Sequence, residues 1–289
     1  MEPYQILIEI IEAGSLSAAA EKLGYTPSGI SRILAGLEKK LGFSLFYRGK
    51  NGITPTKDCE QILPVVRDLL FTENKLEQLA ARIRGAECGQ IVIGTAYSHY
   101  YRWITEVTSA FHELHPGIQF QIVNGTSTEL ADRIAQHQAD FCLISKREEV
   151  SGWIPLCEDQ MVAMIPQNHR FVEAEAFPVE RFGEEPYIET YPEQDIDNAR
   201  VFLRCKVTPN TQFSTMDIYA TYAMVEAGLG VSMNNEINSH LWNGTVKHLP
   251  LSPRQIVEIG MAYDVELTPA AECFLEYIRE YLPDRRLTL

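Results

Sequence analysis

Residues 15–42, SLSAAAEKLGYTPSGISRILAGLEKKLG, constrain the fold most tightly, because they set two helical patterns on either side of a break only a few residues long. Gly24 stops the first pattern. Thr26 and Pro27 start the second, threonine as a cap and proline at the first helical position, where a missing N–H costs nothing. The earlier pattern, Ala18 to Leu23, is expected to start from Ser17 as its cap, and its alanines permit close approach of a neighbour. Ahead of it, Ile6, Leu7, Ile10 and Ile11 recur at the spacing of a buried stripe, and Gly14 ends that helix. After the break, Ile30, Ile33, Leu34, Leu37 and Leu41 form one apolar stripe, while Pro27, Ser28, Ser31, Arg32 and Ala35 share the opposite side. A face of small, hydrogen-bonding groups fits a DNA major groove roughly 12 Å wide, where hydroxyls reach phosphates or bases and an arginine reads guanine. Taken alone, the two helices read equally well as an ordinary helical hairpin.

The next residues weigh against that plain reading. LGFSLFYRGKNGITPT sets Arg48 and Lys50 around a Gly49/Gly52 turn flanked by short apolar pieces, which predicts a hairpin wing carrying cations suited to phosphates or a narrow minor groove. Head and wing together are similar to the winged helix-turn-helix of the LysR-type transcriptional regulators. The resemblance rests on Gly14, Ser15, Ala19, Ala20, Leu37, Glu38, Leu41, Gly42, Leu45, Phe46, Arg48 and Thr56 at the family's spacing. The sequence departs from the pattern at Leu7, where an aromatic is usual, at Thr26-Pro27 for a Ser-Gln pair, at Asn51 for a second wing arginine, and across Pro55 to Cys59. The resemblance carries over Ser28, Ser31, Arg32 and Arg48 as DNA contacts; Ser17, Pro27 and Lys50 complete the candidate set. The whole then reads as an all-α winged helix-turn-helix head over 1–57, a linker helix over 58–86 and an α/β two-lobed, periplasmic-binding-protein-like effector domain over 89–289.

The linker from Asp58 to Gly85 places Ile62, Val66, Leu69, Leu76, Ala80 and Ile83 at the rhythm of a seam between helices, interrupted by Glu73, with Pro64 expected to kink the helix or delay its start. The stripe fits a partner chain, which the resemblance favours, or the chain's own body. Beyond Gly89 the period changes. QIVIGTA, IQFQIV and DFCLI read as strands, and YYRWITEVTSAFHELHP and STELADRIAQHQ as helices, a βαβαβ series implying a parallel sheet. A second set follows from about residue 162, and IVEIGMAYD returns the chain to the first lobe, so that lobe I takes about 89–160 and 262–289 and lobe II about 161–261. Ligands of such folds sit beyond strand carboxyl ends, beside helix N-termini. The candidates there are Tyr97, Ser98, His99, Thr126, Ser127 and Thr215, with Ser127 and Thr215 reading as helix caps just as readily. Arg102, Arg200 and Arg204 are the candidate partners for an anion. The family's Gly-x-Gly-Ile-x-x-x-Pro tract stands here as Gly228 to Asn235, with asparagine in place of the proline.

Charge distribution is consistent with this division. Residues 1–90 balance 11 basic against 11 acidic side chains, so the entire net charge of −14 lies beyond them and discourages the body from adhering to phosphate. The six cysteines form no C-x-x-C pair, and His112 and His115 in HELH lack zinc spacing, so no metal, cofactor or disulfide framework is expected. No nucleophile elbow, P-loop or carboxylate pair marks a catalytic site, and an enzyme is not expected. With no membrane-length apolar run and no secretion signal, the cytoplasm is the expected compartment. The expected partners are double-stranded promoter DNA, a small-molecule effector and further copies of the chain as a homodimer or homotetramer, with RNA polymerase a candidate beyond these. The alternative is a small-molecule binding or sequestering protein with a non-functional head.

Overall fold

The computed structural model describes residues 2–49 and 52–281, and the chain divides into two compact units, one ending at Gly85 and the other beginning at Ala86. The first unit opens with α1 (Glu2–Ala13), α2 (Leu16–Leu23) and α3 (Pro27–Leu41). Ile6, Leu7 and Ile10 of α1 close on Ala19 and Ala20 of α2 and on Ile30, Leu34 and Leu37 of α3, all buried in one core. The alanines leave room for the helices to approach, and each fully buried Leu or Ile contributes about 1.5–3 kcal/mol. A two-stranded antiparallel wing follows, β1 (Phe46–Gly49) on β2 (Gly52–Pro55), with Arg48 opposite Ile53. Glu38 ties α3 to it by accepting from the Leu45 N–H at 2.7 Å. Thr56 then closes the wing, donating to the Ser44 carbonyl and accepting from the Cys59 N–H as the cap of α4 (Lys57–Ile83).

Helix α4 begins at once and runs through Pro64, so the proline does not delay its start. The ring lies on the exposed side, and Leu63 and Val66 beside it are buried in the head core, with Ile62 packed against them. The predicted seam therefore divides. Ile62 and Val66 cover the head's own core, whereas Leu76 (66% exposed) and Ile83 (86%) have no apolar cover.

In the second unit, β3 (Gly89–Thr95), α5 (Tyr101–Leu114), β4 (Ile118–Asn124), α6 (Ser127–Ala135) and β5 (Phe141–Ser145) form the βαβαβ series, the three strands parallel in the order β4-β3-β5. The chain continues as β6 (Gly152–Ile165), β7 (Phe177–Pro178), β8 (Tyr187–Thr190), α7 (Asp197–Cys205), β9 (Thr211–Thr215), α8 (Ile218–Glu226), β10 (Ser232–Asn235), β11 (Lys247–Ser252), β12 (Ile256–Tyr263) and α9 (Pro269–Tyr281). The main sheet has the path β4-β3-β5-β12-β6-β11-β7 with β10 also on β6, and β8 pairs β9 in a small parallel sheet. β12 is antiparallel to both β5 and β6, so the sheet is mixed rather than parallel throughout.

Two large cores lie along these strands, with two smaller clusters, one around Leu130 and Ile144 and one around Ile188 and Tyr222, on the other faces. Phe111, Phe141 and Phe274 centre the first, and Phe177, Phe182, Tyr187 and Phe202 the second. β6 serves both, since Ile154 and Leu156 pack on the first and Met161, Ala163 and Ile165 belong to the second. The limits drawn at 160/161 and 261/262 thus fall inside single strands. Between Ile259 and Gly260 the β12–β6 ladder shifts register, and a Cβ on Gly260 would stand 2.6 Å from the Ile154 carbonyl oxygen, so only glycine fits there.

Candidate functional site

The face of α3 opposite the head core begins at its cap. Thr26 accepts from the Gly29 N–H at 3.1 Å, and Thr26 Oγ1 and Ser28 Oγ lie 3.2 Å apart. Pro27, Ser28, Arg32 and Ala35 are exposed and Ser31 is half-buried, whereas Ile30 and Leu34 on the other side are fully buried. Ser17 does not cap α2. Ser15 does, with extended backbone and its hydroxyl accepting from the Ala18 N–H at 3.1 Å, because the helix already begins at Leu16; Ser17 stands exposed in the first turn. Arg48 lies on β1, and Lys50 is outside the described residues.

The second unit holds a cavity of about 550 Å³ between its two cores, a volume suited to a small molecule. Tyr97, Ser98, Thr126 and Ser127 line it, as the sequence suggests. His99 and Thr215 do not. His99 turns to pack edge-on against Tyr100, and Thr215 accepts from the Asp217 N–H, positioning Asp217 rather than itself. The caps are likewise displaced by one or two residues. Thr126 caps α6 in a reciprocal box with Glu129, leaving the Ser127 hydroxyl to accept from the Ser145 N–H, and Asp217 caps α8 by accepting from the Ala220 N–H at 2.8 Å.

Beneath the cavity lies a buried polar network that the sequence reading missed. Asp197, in the first turn of α7, accepts from Ser145 Oγ at 2.6 Å, from the Tyr97 hydroxyl at 3.0 Å and from Arg147 at 3.2 Å. Arg147, just beyond β5, also donates to Thr128 and to Ser145 Oγ. Burial, reinforced by the Asp197 carboxylate, holds the Tyr97 phenol well above its usual range. The arginines expected to meet an anion are engaged elsewhere or stand apart. Arg102 pairs with Glu106 and Arg200 with Asp195, both outside the cavity wall, and Arg204 borders a smaller pocket with Lys146 and Glu258. Arg147 stands two residues beyond the buried end of β5, in a run of charged residues, and nothing in the sequence set it beside Asp197.

His112 and His115, the pair in HELH, are taken up separately. Their Nδ1 atoms lie 3.1 Å from the Ile118 carbonyl oxygen and 2.9 Å from Glu87 Oε2 respectively. Among the described residues, no helix is long and apolar enough to cross a membrane.

A winged head with one exposed small-residue helix face, joined by a long helix to a two-core α/β unit around a cavity, defines a nucleic-acid reader coupled to a ligand-binding module. Residues 1–60 match the model of the bacterial regulatory helix-turn-helix proteins of the lysR family, and residues 84–283 match the LysR substrate-binding domain. The chain belongs to the LysR family of DNA-binding transcriptional regulators, which carry an effector-binding substrate domain. It is 24% identical over 284 residues to YvbU of Bacillus subtilis strain 168, an uncharacterised HTH-type transcriptional regulator, covering 96% of each chain. Among solved structures it matches a full-length cysteine-to-aspartate variant of OxyR from Pseudomonas aeruginosa (TM-score 0.67, 18% identity, 96% and 93% covered). Full-length CbnR complexed with its target DNA matches at TM-score 0.61 and 17% identity, with 96% and 98% covered. At these identities the structural likeness speaks for the fold.

Proposed function

We propose that this regulator reads specific promoter DNA with the exposed side of α3, Pro27, Ser28, Ser31 and Arg32, flanked by Ser17 and by the wing cations Arg48 and Lys50. The carrying observation is that this side of α3 is open while the side opposite is sealed into the head core. α4 pairs copies of the chain through its uncovered apolar positions, giving a homodimer or a homotetramer. An effector in the 550 Å³ cavity binds two arrangements of the cores with different affinity and so changes how the heads are spaced on DNA. The protein works in the cytoplasm without catalysis, and RNA polymerase is the machinery it meets at the promoter.

Gel-shift titration against the DNA upstream of its own coding sequence and against random DNA, at graded salt, tests the reading. The expected result is tighter binding to the upstream DNA, with affinity falling as salt rises for both. Equal affinity for the two DNAs at every salt concentration would defeat it.

A further inference from the structure

The chemical class of the effector follows from the charges on the cavity wall, an inference that rests on the cavity being the effector site. Among the described lining residues Arg147 is the one cation, against the carboxylates Glu129, Asp197 and Asp217. Arg147 is buried and bonded to Asp197, so those two cancel. Glu129 and Asp217 remain, and each already occupies a helix N-terminus. Glu129 Oε2 accepts from the Thr126 N–H at 2.9 Å, and Asp217 Oδ1 accepts from the Ala220 N–H at 2.8 Å. The two helix ends that would attract an anion are therefore filled by the protein's own carboxylates. Tyr191 lies within their field. Its phenol is raised by burial and then by the negative charges of Asp217 and Glu129. Tyr101 and Tyr219 add further aromatic surface to the same wall.

A second observation is independent of charge. On the cavity wall Gln194 Oε1 is buried without a donor. A buried acceptor of this kind is stabilised when a donor completes it.

We propose that the cavity takes an amine-bearing small molecule, its cationic nitrogen held between Glu129 and Asp217 with tyrosine rings alongside, and an N–H donating to Gln194 Oε1. Carboxylates and aromatic faces together favour an ammonium group, and an anion would add to an existing negative excess.

The test is thermal melting and calorimetric titration of the full-length protein with matched trios, each an amine, a carboxylate and an alcohol on one carbon frame, such as tyramine, 4-hydroxyphenylacetate and tyrosol, extended to aliphatic frames. Amines are expected to raise Tm, and Glu129→Gln combined with Asp217→Asn to weaken them tenfold or more while preserving both caps. Ser98→Trp, which fills the cavity, is expected to abolish the effect. Three results overturn the proposal: no amine raises Tm; amines and alcohols do so equally; or carboxylates do so in place of amines. Carboxylate binding abolished by Ser98→Trp would leave the cavity as the effector site while rejecting the amine. Binding of any class that persists in Ser98→Trp would reject the site itself.

Discussion

Arg147 donates to Thr128, Ser145, Lys146 and Asp197 from a position almost without solvent. Arg147→Met leaves the Asp197 carboxylate buried without its counter-charge and is expected to cost about 3–5 kcal/mol of stability in urea titration. Arg147→Lys is expected to recover little, since one ammonium cannot reproduce a planar fork. Arg32 is the opposite case. Being exposed, Arg32→Ala is expected to weaken promoter binding by about 1–3 kcal/mol with an unchanged melting temperature. The same contrast sets what was legible in the sequence. Arg32 follows from helical periodicity, a local property, whereas Arg147 meets Asp197 only through a fold that closes fifty residues of chain. His99 and Thr215 neighbour the cavity in sequence but stand off its wall, His99 packed on Tyr100 and Thr215 bonded to the Asp217 N–H.

Elements were legible wherever one residue type can do the job. Thr26 with Pro27, Gly14 and Gly24 mark helix ends in the sequence and in the structure alike. The errors fall where hydroxyls crowd together, at Ser15 against Ser17 and Thr126 against Ser127, because the backbone of a single residue decides which becomes the cap. In α4, the uncovered Leu76 and Ile83 are expected to lie in the contact between copies. Leu76→Glu with Ile83→Glu should shift the protein to a monomer in sedimentation velocity and leave the melting of the head intact. Strand β6 offers a pH test. Burial pushes Asp159 up to about 6, opposed by the Ile237 N–H that bonds it. The unfolded chain ionises near pH 4, so the folded state holds the extra proton between about pH 4 and 6 and loses stability as pH rises through that window. Asp159→Asn should therefore exceed the parent in stability by about 1–2 kcal/mol at pH 8 and match it near pH 4, as read by denaturant titration.

At the scale of the whole molecule, charge and burial separate the roles of the parts. The balanced first ninety residues carry the groups proposed for DNA, and the acidic remainder carries the cavity. Cysteine chemistry divides by depth. Cys88 is exposed, while burial pushes Cys59 to about 11 and Cys142 to about 12. Thiol titration of the native protein should modify Cys88 first and reach Cys59 and Cys142 only on unfolding. The bulge at Gly260 gives the second unit a further property. β6 is a continuous strand shared by both cores, and the ladder shift beside Gly260 of β12 falls where β6 packs on the first of them. A side chain there would collide with the Trp153 ring and the Ile154 carbonyl, so every replacement is expected to push the two strands apart.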